Sequence, residues 1–506
     1  MKSLRLLAAA CLPLLLAACA SLPGHEATSA PAPSSPAIAA PAPTAQADAT
    51  APAIATPPAA AARPVLPTGA MSELQPQPAA DRSVAPLTPP ADLWERIRRG
   101  FAMPDLDSPL VADREKWYAA RPAELELMAS RARKYLFHIV EEIELRGLPT
   151  ELALLPFIES AFNPQAYSRA RAAGMWQFIP STGKLYQLKQ NAFRDDRRDV
   201  LASTRAALDY LEKLYGMFGD WHLALASYNW GEGSVGRAIE KNRRRGLGTG
   251  YLDLTMPMET RYYIPKLQAM KNIVADPQRF GVRLPVIDNH PFFETVTITR
   301  DIDVALAAKL AEVSLEDFKA LNPSLHRPVI LAAGTPQILL PWDNAETFQR
   351  NLQAYAGTRL SSWTVWVAPT TMKTAEAARR LKMSEAELRA ANGIPSHMII
   401  RAGSTLLVPR PPGLEQDVAE RIADHGQLAL VPETVLRRIV LKAGKKDTVA
   451  SVARRHGLAA AKVAEWNNVP VSASFKPGQT IVIHRWVPVR PAADAPPRAP
   501  TRVARR

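Results

Sequence analysis

The sequence predicts a multidomain α+β protein, one mainly helical domain followed by small strand-helix-helix-strand modules. Three observations carry this prediction. Apolar residues recur at three- and four-residue steps within residues 92–274. Beyond them, one short pattern of strand, two helices and strand occurs three times. Before them lies a long Ala- and Pro-dominated tract without apolar periodicity. At 506 residues the chain is too long for one ordinary core, and the length suggests roughly three domains once irregular parts are set aside.

Taken in order, residues 1–18 carry Lys2 and Arg5 ahead of an apolar stretch from Leu6 to Ala18. That stretch is too short to span a bilayer and reads as a secretory signal peptide. It ends in Leu16-Ala17-Ala18-Cys19, which resembles the lipobox of bacterial lipoproteins. The resemblance implies that Cys19 is lipidated and becomes the mature N-terminus, anchoring the protein to a membrane. The other cysteine, Cys11, lies in the segment to be removed, so no thiol pair is left for a disulfide or a metal site. Residues 19–91 are then expected to be a lipidated N-terminus and an extended, disordered linker, with a reach of up to roughly 200 Å at about 3.1 Å per residue. The formal charge of +14 favours polyanions. For an exported chain without a nucleic-acid motif these are anionic head groups and wall polymers, and no nucleic-acid partner is expected.

In the helical domain, Pro122 suits a first helical turn. Leu125, Met128, Ala132, Leu136, Ile139, Val140 and Ile143 then continue one apolar stripe to a stop at Gly147. This predicts a single amphipathic helix whose stripe is core. Next comes Leu152-Ala-Leu-Leu-Pro-Phe-Ile-Glu-Ser-Ala-Phe-Asn-Pro164, in which Pro156 should distort the helix just before Glu159. Phe157, Ile158 and Phe162 flank this carboxylate without a basic neighbour. An apolar setting disfavours ionisation, so Glu159 is the candidate general acid.

Downstream lie Ala173-Gly-Met-Trp-Gln-Phe-Ile-Pro180, the charge run Asp195-Asp-Arg-Arg-Asp199, a helical run from Ala202 to Tyr215, Leu223-Ala-Leu-Ala-Ser-Tyr-Asn-Trp-Gly-Glu-Gly233, and Glu259-Thr-Arg-Tyr-Tyr-Ile-Pro-Lys266. Aromatic faces beside amides and hydroxyls suit a sugar-binding cleft. Taken singly, Trp176 and Trp230 read as core anchors and Arg197-Arg198 as solvated charge.

Combined and in this order, the blocks resemble the lysozyme-like catalytic domain of bacterial lytic transglycosylases, most closely the membrane-bound lytic murein transglycosylase D group. The resemblance implies that Glu159, in the Glu159-Ser160 pair, is the single catalytic acid. It further implies that Ser168, Gln177, Phe178, Tyr228 and Asn229 bind substrate, with Tyr228 near the acid. Arg171 stands where many relatives carry glycine, and Met175 replaces the usual leucine.

The three repeats occupy residues 294–343, 363–411 and 438–486, each with an asparagine near the end of its second helix: Asn322, Asn392 and the Asn467-Asn468 pair. The third resembles a LysM module, a family that binds N-acetylglucosamine-containing glycans, with Asp447-Thr448 as the cap of its first helix. The first two are degenerate LysM-like repeats. Residues 487–506 read as a basic disordered tail.

The full expectation is an α+β multidomain protein: a mainly α lysozyme-like catalytic domain followed by small βααβ LysM-like modules. It is an outer-membrane lipoprotein facing the periplasm that cleaves peptidoglycan glycan strands non-hydrolytically, with no cofactor and no metal. Ordinary glycosidases need a second carboxylate, for which Asp195, Asp199 and Glu232 stand as candidates. A hydrolytic muramidase and a catalytically inactive wall-binding adaptor are the alternatives.

Overall fold

The computed structural model describes residues 90–357 and 359–489. The signal peptide, Cys19, nearly all of the linker, and the tail from residue 490 onward lie outside the described residues.

The helical part is built on one apolar cluster. The stripe from Pro122 to Gly147 forms two helices, Pro122–Ala132 and Leu136–Leu145, where one was expected. Between them the hydrogen bonds contract, Lys134 N–H to the Arg131 carbonyl (3.4 Å) and Tyr135 N–H to the Ala132 carbonyl (2.8 Å). From Ala132 to Leu136 is four residues, so the apolar step reads unbroken through the turn. The break turns Tyr135 inward, and its hydroxyl donates to the Ala320 carbonyl (2.7 Å). Gly147 closes the second helix at φ +64°.

Two further helices frame the domain, each begun by an aspartate that accepts a backbone N–H. Val200–Phe218 is capped by Asp199, and Trp221–Trp230 by Asp220. Helix Tyr263–Ala275, buried along most of its length, packs against Pro109–Ala119 and against the segment that carries Glu159.

Each repeat pairs its first and last strands antiparallel: Phe293–Thr297 with Gln337–Pro341, Trp363–Val367 with Thr405–Pro409, and Thr434–Lys442 with Thr480–Pro488. Two helices lie between the strands of each pair. The asparagine common to the three has one structural job. Asn322 donates to the Leu339 carbonyl (2.8 Å) and accepts from the Leu339 N–H (2.9 Å). Asn392 does the same with Leu407, and Asn467 with Val482. The amide thus stands in for a neighbouring strand and satisfies the free edge of the last strand in each repeat. In the third repeat Thr448 accepts from the Ser451 N–H (3.1 Å), and Asp447 is tied to Gly444 and Arg455. The strands of this repeat run past the expected bounds, with Thr434 opposite Pro488, so residues 487 and 488 extend the sheet where a disordered tail was expected.

Candidate active site

The segment before Glu159 begins as a 3-10 turn, Thr150–Leu154, and becomes an α-helix only at Leu155–Ser160. Pro156 therefore lies in the first turn of a short helix, where its missing N–H is not needed, and the expected mid-helix distortion is a change of helix type. The helix stops because Ala161 and Phe162 both adopt left-handed backbone, φ +53° and +52°. Such residues cost about 1–3 kcal/mol each unless their surroundings hold them. Phe162 is held by full burial and an edge-on contact with Phe157, 4.6 Å between ring centroids. Glu159 is thereby presented on the last turn.

Glu159 is half-buried as a residue, and burial pushes its carboxyl up to about 7. The hydroxyl of Tyr263, which donates to its Oε1, and the charge of Lys266 pull the other way, while Glu259 adds to the rise. The carboxyl therefore sits near the midpoint between its two protonation states at neutral pH.

It opens onto a cleft of about 550 Å³ lined by Ser168, Gln177, Phe178, Thr182, Tyr210, Tyr228, Asn229, Trp230, Glu259, Tyr263 and Lys266. The structure thus brings every site residue expected for the helical domain to one cleft. Ser168 accepts from the Ala172 N–H (3.0 Å), closing the loop at the cleft edge. Gln177, at φ +51°, donates through its amide to the Gly174 carbonyl (2.8 Å). Phe178 is buried in the wall. Asn229 accepts from the Thr260 hydroxyl (2.8 Å), which fixes the amide orientation and leaves its NH₂ group for the cleft.

Tyr228 lies near the acid, but its hydroxyl donates to the Trp176 carbonyl (2.8 Å) and not to the carboxylate. The tyrosine on the carboxylate is Tyr263, from the Glu259–Lys266 block, for which the sequence implies no role. Burial, then the neighbouring Glu159, raises both phenols well above their ordinary value, so each remains a donor.

The candidate second acids are tied elsewhere. Asp195 takes two hydrogen bonds from Arg197 (2.8 and 2.7 Å). Asp199 caps its helix and accepts from Ser324 (3.1 Å). Glu232 accepts from Tyr210 (2.7 Å) and Lys213 (3.0 Å), and the Tyr210 bond holds it below the usual carboxylate range. The second acid of the cleft is Glu259, an exposed residue with no role in the sequence reading.

The reading of Arg197 as solvated charge is overturned, since it is 5% exposed. Its guanidinium donates to the carbonyls of Arg171 (2.6 Å) and Phe178 (3.1 Å), at the two ends of the loop that carries Gln177. Arg171, at the start of this loop, has φ +64°, the conformation glycine favours. At Gly174 (φ +82°) a Cβ would lie 1.9 Å from the Arg197 carbonyl oxygen, so no side chain fits there.

Residues 140–247 match the family model described as Transglycosylase SLT domain. Residues 292–357 match Lytic transglycosylase MltD, LysM-like domain, and residues 378–409 and 443–484 match LysM domain. Membrane-bound lytic murein transglycosylase D of Escherichia coli (strain K12) is 32% identical over 408 residues, covering 78% of this chain and 86% of that protein. A putative tributyltin chloride resistance protein of Alteromonas sp. (strain M-1) is 47% identical over 120 residues, 24% of this chain and 58% of that protein. Among solved structures, the Bacillus megaterium spore cortex-lytic enzyme is 20% identical with a TM-score of 0.09, covering 26% of this chain and 23% of that one.

Proposed function

The chain belongs to the membrane-bound lytic murein transglycosylase D family, and from that premise we propose that Glu159 alone carries both proton transfers of its reaction. The protein is a peptidoglycan lytic transglycosylase, which cleaves the β-1,4 bond between N-acetylmuramic acid and N-acetylglucosamine without water and leaves 1,6-anhydro ends. The protonated carboxyl gives its proton to the glycosidic oxygen as the bond to C1 breaks. The resulting carboxylate takes the proton from the muramyl C6 hydroxyl as that oxygen bonds to C1. The proton balance closes on one residue.

One observation carries this assignment: a single enclosed carboxyl, brought to about 7 and bonded to Tyr263, at a cleft whose expected acids are engaged elsewhere. A group poised near the working pH is suited to act as acid and then as base. Asn229, Gln177 and Ser168 would hold the acetamido and hydroxyl groups of the strand, and Tyr228, backed edge-on by the buried Phe178, would support a sugar face. Glu259 favours one competing reading, a hydrolytic muramidase in which this second carboxylate activates water. Digestion of purified sacculi followed by mass spectrometry separates the two. Products lighter by one water support the single-acid route, whereas reducing ends that vanish in Glu259→Gln would establish the hydrolytic one.

The chain binds glycan strands through its SLT and LysM domains, and we assign the sacculus-retaining role to the third repeat. The E. coli relative is membrane-bound by its name. Among the described residues no helix is long and apolar enough to cross a membrane. Lipid attachment at Cys19, with residence in the outer membrane facing the periplasm, is the arrangement we propose from Leu16-Ala17-Ala18-Cys19.

A further inference from the structure

Between helices Pro180–Leu185 and Val200–Phe218 the chain runs through a loop, residues 189–198, that faces two ways. Its inner face supports the cleft. Arg197 holds the carbonyls of Arg171 and Phe178, and its own backbone fills the space beside Gly174.

The outer face is held by the repeats. Phe193, 6% exposed, is buried in a small apolar cluster with Val329 and Leu331 of the first repeat and Leu407, Val418 and Ala423 from the second repeat and the chain after it. The neighbouring backbone is tied on both sides: Ala192 N–H donates to the Gly426 carbonyl (2.9 Å) and Asp195 N–H to the Ser324 carbonyl (3.0 Å). Asp424 pairs with Lys189 (2.6 Å) and Arg194 (3.1 Å), and the Asp424–Arg194 pair is largely enclosed. The fit is close, because a Cβ at Gly426 would lie 2.8 Å from the Phe193 ring. The third repeat takes no part in this cluster and has an apolar core of its own.

We propose that the first two repeats are a brace for the active-site cleft, acting through this loop, and that Phe193 is a positioning residue for the reaction. This rests on the lytic transglycosylase reading. Arg197 and Phe193 are four residues apart on one short loop, so a shift of the outer face reaches the carbonyls that set Gln177 and Phe178. A displacement near 1 Å at a positioning group can cost on the order of 10²-fold in rate, so partial loosening should cost about tenfold. The carboxyl of Glu159 stands on its own helix and on Tyr263, and the loop reaches that helix indirectly, through the Ser160 hydroxyl on the Met175 carbonyl (2.9 Å).

The test uses the full-length protein, measuring kcat and KM on soluble glycan strands, the pH profile, retention on sacculi, and melting. Phe193→Ala is expected to lower kcat about tenfold with pH profile and sacculus retention unchanged, and Phe193→Leu to restore kcat to within about threefold of wild type. Wild-type kcat in folded Phe193→Ala, a shifted pH profile, or an equal loss in Phe193→Leu would overturn the brace. Should Phe193→Ala fail to fold, Asp424→Ala removes the polar tie without opening the cluster, and unchanged turnover in that variant overturns the proposal equally. Wild-type digests without anhydro ends would count against the functional reading instead.

Discussion

Replacing Tyr263 by phenylalanine removes one hydroxyl, and the structure fixes the sign of the result. That hydroxyl donates to Oε1 of Glu159 and so favours the ionised carboxylate, opposing the burial that lifts the group to about 7. A hydrogen bond to a charged acceptor contributes about 1.5–3 kcal/mol, and one pKa unit corresponds to about 1.36 kcal/mol. Tyr263→Phe should therefore move the alkaline limb of the pH–rate profile upward by about one unit or more, because protonated Glu159 is consumed in the first step. The assay is the initial rate of anhydro-muropeptide release across about pH 5 to 9, analysed as kcat/KM so that the free enzyme is reported. Lys266→Met should move the limb the same way, since it removes a charge that lowers the carboxyl, and Glu259→Gln should move it down. A limb that stays in place in Tyr263→Phe, or moves to lower pH, would refute the assignment of Glu159 as the titrating acid held by Tyr263.

Glu159→Gln should cost at least roughly 10² to 10⁴ in rate while glycan binding survives, checked by turnover and by sacculus sedimentation. The same variant should be more stable than wild type at high pH. The folded carboxyl titrates near 7 against 4.5 in its ordinary state, so the folded state binds the proton more tightly and loses stability as pH rises between those values. The gain from Gln is absent below about pH 4 and grows to at most roughly 3 kcal/mol above pH 7, readable as a pH-dependent difference in Tm. Removing the chain from Thr434 onward should weaken retention on sacculi while leaving cleavage of short soluble strands nearly intact, because a tethered binding module raises local concentration without touching the chemistry. Cys19→Ala should release the protein from membranes, and unchanged fractionation of that variant would sink the anchor assignment.

Local patterns set by neighbours a few residues apart are legible in one sequence. The apolar step that makes helices, the recurring strand-helix-helix-strand module, the asparagine ending each second helix, and the carboxylate in an apolar run all belong to this class. So does the order of the blocks that places Glu159, Gln177 and Asn229 in one family of sites. What the sequence left open depends on which distant groups meet. A three-residue turn that preserves the four-residue step hides the break at Tyr135, because periodicity records spacing and not backbone continuity. Arg197 reads as solvated charge until the carbonyls of Arg171 and Phe178 are folded over it. Tyr263 lies 104 residues from Glu159, and only the packing of helix Tyr263–Ala275 against the acid-bearing segment chooses it over Tyr228 as the carboxylate's partner. Phe193 looks like an isolated aromatic in a charged loop until Val329, Leu407 and Ala423 close around it. Helix type, spacing and turn chemistry are decided by short-range sterics and hydrogen bonding, so they are written in the local sequence. Partner choice across the fold is decided by which burial and which donor-acceptor pairs can be satisfied together, a condition that only the assembled structure meets.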